Sequence, residues 1–140
     1  MPSLGFDELE VYKLPERLAD AVWETVDTWD RLARRTVGEQ VVRSADSVGA
    51  NIAEGAGRGT FKDNRRFVHY ARGSLYETRH GLRRAQKRGL LTRDQSARLR
   101  PILDELGPRL NAYPRSIGRT TPPRPIAERR GSNAPRTNDK

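Results

Sequence analysis

The sequence predicts an all-α fold: an antiparallel up-and-down four-helix bundle (residues 1–113) with a disordered basic C-terminal tail (residues 114–140). Three observations predict it. Four apolar stripes recur at spacings of three and four, the period of one helix face. Between them stand Thr residues followed three positions later by an acid or amide, and glycines suited to helix ends. The connections are short, which makes neighbouring helices antiparallel.

Leu4, Phe6, Leu9 and Tyr12 form an apolar lead-in. Pro15 suits the first turn of a helix, and Leu18, Val22, Val26, Trp29 and Ala33 give it a stripe, so the first helix is expected over 15–34. Thr36 with Glu39 reads as the capping box of the second, whose stripe is Val37, Val41, Ala45, Val48 and Ile52. Gly55, Gly57 and Gly59 are expected to end it in a left-handed turn. Thr60 with Asp63 caps the third helix, which carries Val68, Ala71, Leu75, Thr78, Leu82 and Ala85 and stops at Gly89. Thr92 with Gln95 opens the fourth, built on Leu99, Ile102, Leu103, Leu106 and Leu110. Pro101 and Pro108 fall inside it, and each removes a backbone bond, so a kinked or split helix is expected. Beyond Tyr113-Pro114 little remains to bury, hence the disordered tail.

Composition narrows the function. Apolar residues make up 34% and charged residues 32%, lean for a globular chain but too periodic over residues 9–113 for disorder. Cysteine is absent, which removes disulfides and thiolate metal sites and suits a reducing cytoplasm. No stretch reaches the roughly 20 apolar residues of a membrane span. The start, MPSLGFDELE, lacks the basic and apolar regions of a signal peptide, so a cytoplasmic protein with no membrane partner is expected.

The formal charge of +9 is uneven: residues 115–140 hold seven bases and two acids, and residues 62–88 nine bases and two acids. Residues 7–35 hold eight acids and five bases. Arg65, Arg66, Arg72, Arg79, Arg83, Arg84, Lys87 and Arg88 exceed what one subunit neutralises, so this helix is the expected docking surface for a nucleic-acid backbone or an acidic partner. The bland alternative is a solvated face partly paired with the first helix. A GC-rich genome also produces arginine in such excess over lysine, twenty-three to four.

Arg43, Ser47, Asn51, Glu54 and Arg58 share one face of the second helix, and Tyr70, Ser74 and Glu77 form a row on the third. Serine and asparagine are poor helix formers in mid-helix, so something tertiary should reward them. The favoured reading is a buried hydrogen-bond layer fixing the register of these two helices; the other is a polar pocket or an oligomer contact. Glu77-x-x-His80 is half of a di-iron signature, but Arg66 stands where the second copy, before His69, needs its glutamate; no metal or cofactor is expected. The Gly55–Thr60 loop follows a helix rather than a strand and lacks the Gly-Lys-Ser/Thr ending of a phosphate loop. Trp23 and Trp29 lie six apart and head in different directions, so both are not expected in the core, and whichever is exposed is a candidate interface anchor. No nucleophile–base arrangement is visible, and no enzymatic activity is expected.

The run Gln40-Val-Val-Arg43-Ser-Ala45-Asp-Ser47-Val-Gly-Ala-Asn51-Ile52-Ala-Glu54-Gly55-Ala-Gly-Arg58, followed by Phe67 and Ala71-Arg-Gly73-Ser74-Leu75-Tyr-Glu77, resembles the bacterial 23S ribosomal RNA intervening-sequence proteins. That family's relatives include the accessory variability protein of diversity-generating retroelements. The likeness spans roughly residues 6–112 and is most specific in Ser47-x-x-x-Asn51-x-x-Glu54-Gly55. It implies an up-and-down four-helix bundle without known enzymatic activity that forms homo-oligomers, a pentameric barrel in the retroelement branch. There it implies a basic surface engaging nucleic acid and a protein partner, a reverse transcriptase. The prolines of the fourth helix and the Arg/Pro tail depart from the pattern. The expected function is a non-enzymatic oligomeric accessory protein that binds nucleic acid; the alternative is a protein-interaction scaffold that does not.

Overall fold

The computed structural model describes the backbone of residues 6–116 and the side chains of residues 12–112. Four helical rods pack together, with no strand among the described residues. The first is α1 (Phe6–Val26). The second runs without a break through α2 (Arg31–Ala33), a π-helical stretch (Arg34–Gly38) and α3 (Glu39–Ala56). The third is α4 (Phe61–Lys87) and the fourth α5 (Arg93–Ser116). α1 packs on α3, α3 on α4, α4 on α5, and α5 back on α1, closing the bundle. Residues 114–116, expected in the tail, continue α5 instead, and residues 117–140 and the side chains of Leu4, Phe6 and Leu9 lie outside the described residues.

The four apolar stripes are buried as their spacing requires, from Leu18 and Val22 on α1 to Leu106 and Leu110 on α5, except that Leu103 is only half-buried at the core's edge. Thr60 caps α4, its hydroxyl accepting from the Asp63 amide at 3.1 Å. Thr92 and Gln95 cap α5 reciprocally, at 2.9 and 3.1 Å. Gly89, at φ 72°, closes α4, and the Leu90 amide reaches back to the Ala85 carbonyl at 2.9 Å.

Boundaries differ from expectation in three places. α1 begins at Phe6 rather than 15 and passes through Pro15. The lost backbone bond, about 3 kcal/mol in a regular interior, is offset because the proline ring is buried against α3, facing Gly49. α1 then stops at Val26, and the second rod starts at Asp30 rather than Thr36. Asp30 sits in extended backbone and its carboxylate accepts from the Ala33 amide at 3.0 Å, whereas Thr36 lies inside the rod and donates to the Leu32 carbonyl at 2.7 Å. Finally, α5 is not split. Pro101 and Pro108 lie on its exposed side, as do Ala97 and Asp104, whose freed carbonyls water can reach.

The α3–α4 register is set by small residues and one buried hydroxyl pair. Val41 lies against Gly81, and Gly55 receives Asn64 and Phe67. Between these close approaches, Thr78 donates to the Ser74 carbonyl at 2.8 Å and accepts from Ser44, also at 2.8 Å. Ser44 has a second acceptor in the Val41 carbonyl at 3.1 Å. Thr78→Val keeps the shape and leaves Ser44 that acceptor, so it should cost only about 1 kcal/mol. The pair Ser44→Ala/Thr78→Val should be no more costly, and urea-denaturation midpoints check both.

Candidate nucleic-acid interface

The polar stripe does not form the buried layer between the second and third rods. Its hydrogen bonds are local: Ser47 donates to the Arg43 carbonyl at 2.9 Å, and the Asn51 amide to the Ser47 carbonyl at 2.9 Å; only Arg58, past the end of α3, reaches α4, over the Phe67 ring. Arg58 pairs with Glu54 at 2.8 Å in solvent, Glu77 is exposed, and Ser74 enters the network only through its peptide carbonyl. The cross-helix contact belongs instead to Ser44, one residue beyond Arg43 and inside the apolar arc. Residues spaced three and four apart share a face, but spacing alone does not say whether that face is covered. Arg43 and Ser47 line a shallow open groove of about 340 Å³ with Glu39, Val42, Asp46 and Ala50.

The glycine loop also differs from expectation. Gly57 is right-handed (φ −81°), and Gly55 is a buried helix residue where a Cβ would meet Asn64 Oδ1 at 2.8 Å and Phe67 Cβ at 2.9 Å. Gly55 therefore serves close packing, not a turn. Trp29 is buried, whereas Trp23 is 63% exposed. Among the described residues no group of three or more His, Asp or Glu side chains gathers to hold a metal ion; Glu77 and His80 both face solvent.

α4 is 27 residues long, about 40 Å, and its eight candidate bases divide along it. Arg65 and Arg66 lie near its start, Arg83, Arg84, Lys87 and Arg88 near its end. Arg72 and Arg79 sit between and are half-buried. Arg79 donates to the Leu103 carbonyl at 2.7 Å, bracing α5, with Gly107 leaving the space. The Arg72 guanidinium reaches His69 Nδ1 at 3.2 Å. Arg66 pairs with Asp63 at 3.2 Å. Arg65, Arg83, Arg84, Lys87 and Arg88 are exposed and enter no ion pair among the described residues.

The reason is topological. Acidic α1 packs on α3 and α5 and so stands across the core from α4. Its Glu24 is taken by Arg98 of α5. The positive face of α4 keeps its field because its natural complement is out of reach.

The antiparallel register adds bases that spacing did not single out. Val41 lies level with Gly81 and Ser44 with Thr78, which sets Arg34 and Arg35 at the height of Arg88 and Lys87; the π-helical stretch does contact α4. Arg31, Arg34 and Arg35 are exposed and in no ion pair among the described residues. One end of the bundle thus gathers Arg31, Arg34, Arg35, Arg84, Lys87 and Arg88. Asp27, Glu39 and Asp94 are the exposed acids at that end, besides Asp30, whose carboxylate is occupied as a cap. The signal available in the sequence was the Arg34-Arg35 pair just past the first turn. No helix among the described residues is long and apolar enough to cross a membrane.

Comparison with curated proteins finds no match to the chain. A family model does match, that of the 23S rRNA-intervening sequence protein, over residues 7–112. That range takes in all four rods and the Ser47-x-x-x-Asn51-x-x-Glu54-Gly55 run, and the chain belongs to the 23S rRNA-intervening sequence protein family.

Proposed function

We propose that this chain is a non-enzymatic, oligomeric accessory protein of the cytoplasm that binds nucleic-acid backbone through α4 and the adjoining basic end of the bundle. The observation that supports it is the row of exposed, unpaired bases on α4 and the start of the second rod, held apart from acidic α1 by the core. Phosphates would meet Arg34, Arg35, Arg84, Lys87 and Arg88 at one end and Arg65 at the other. Arg79, committed to the Leu103 carbonyl, would hold α4 and α5 together instead.

Titration of a labelled RNA at two salt concentrations tests this. Four to six phosphate contacts should make affinity fall roughly 100- to 1,000-fold between about 50 and 200 mM salt. No binding at low salt, or affinity indifferent to salt, would refute it. Trp23 and Leu32, 63% and 76% exposed, favour a second reading, a protein-interaction scaffold. That reading gains if the same titration shows no binding.

A further inference from the structure

The exposed face of α4 carries more than charge. Aromatic residues are 6% of the chain, yet two large ones stand in solvent here, Tyr70 at 49% and Tyr76 at 55% exposure. Neither hydroxyl has a hydrogen-bond partner among the described residues, so local polar bonding does not explain their placement. Tyr70 is held by Phe67, edge to face at 5.3 Å and 86°. Phe67 in turn lies beneath two guanidinium groups, Arg58 at 4.7 Å and Arg66 at 5.2 Å from its ring centre. Gly73 falls midway between the tyrosines, and a Cβ there would touch nothing within 4 Å. Exposed His69 and His80 lie on the same outward arc; its acids are Glu77 and Asp63, the latter already paired with Arg66.

We propose that this face takes single-stranded nucleic acid, with Tyr70 and Tyr76 as platforms on which unpaired bases stack between the arginine clusters at the two ends of α4. The inference rests on the backbone-binding reading above and specifies its ligand. The tyrosine Cα atoms are about 10 Å apart, from six residues of helical rise and roughly 120° of turn. That is too far to clamp one base but suits separate bases of an extended strand. A stacked duplex cannot use them. α4 is flanked by α3 and α5, so the face belongs to a body about 20 Å wide. The B-form major groove is only about 12 Å wide, the A-form major groove is narrower still, and the wide A-form minor groove presents base edges rather than faces for stacking. Only bases already outside a helix reach the rings, and stacking on tyrosine does not depend on base identity.

The test uses the intact chain, a labelled uridine oligomer and a blunt RNA duplex of equal length at low salt. Tyr70→Ala/Tyr76→Ala should weaken oligomer binding roughly 20-fold or more and leave duplex binding unchanged. Tyr70→Phe/Tyr76→Phe should bind the oligomer like the parent, since stacking needs the ring and not the hydroxyl. Parent-like oligomer binding by the alanine pair, or equal losses for oligomer and duplex, would overturn the inference. If Arg84→Glu/Lys87→Glu still loses affinity in that case, backbone binding stands and only the stacking platform is wrong. Failure of the parent to bind either probe would overturn both.

Discussion

Replacing Arg34, Arg35, Lys87 and Arg88 together by glutamate should lower affinity for RNA at low salt by at least about 100-fold. The helical content should stay unchanged. All four side chains are exposed, and none enters an ion pair among the described residues, so their removal breaks no contact inside the bundle. Lys87 lies in the last turn of α4 and Arg88 at its C-cap, where each charge complements the helix dipole for about 0.3–1 kcal/mol; those are the stability costs expected. Reversing Lys13 and Arg17, exposed on α1, tests place against total charge. Those two are far from the basic end, and their loss should matter much less. Anisotropy titration with circular dichroism as the fold check reads both results.

Substitutions at Gly55 and Gly73 should move stability in opposite directions. Gly55→Val should destabilise by about 3 kcal/mol. The added Cβ would meet Phe67 Cβ at 2.9 Å and the Asn64 peptide oxygen at 3.1 Å, and neither is the free end of a flexible side chain. α3 cannot retreat, because Val41 already lies against Gly81 and Ser44 is bonded to Thr78. Gly73→Ala, in the middle of α4 with open space around it, should instead stabilise by about 0.5–1 kcal/mol through helix propensity. Denaturant midpoints decide both signs.

Much of the fold was legible because helix faces repeat. The six positions from Val68 to Ala85 are all buried in α4, and the caps at Thr60 and Thr92 hold as the residue types require. What spacing could not give was whatever depends on a neighbour. The spacing favours Thr36 as the cap of the second rod, but the cap is Asp30, because α1 stops at Val26 with Trp29 packed inward. Pro101 and Pro108 left α5 intact because they face water, which a count of prolines does not reveal. The spacing places the polar stripe on one face, yet only the packed bundle shows that its charged members are exposed, that Ser47 and Asn51 are half-buried and bonded along their own helix, and that Ser44 makes the buried bond. Likewise Arg34 and Arg35 join Lys87 and Arg88 only when two antiparallel rods are laid side by side.

The most direct measurement is the salt dependence of RNA binding by the parent chain and the four-glutamate variant, side by side. If the basic end holds phosphates, the parent should show a slope of log affinity against log salt of about −3 to −5, and the variant a slope shallower by roughly 3. Parallel slopes, or a parent affinity that does not change with salt, would contradict it.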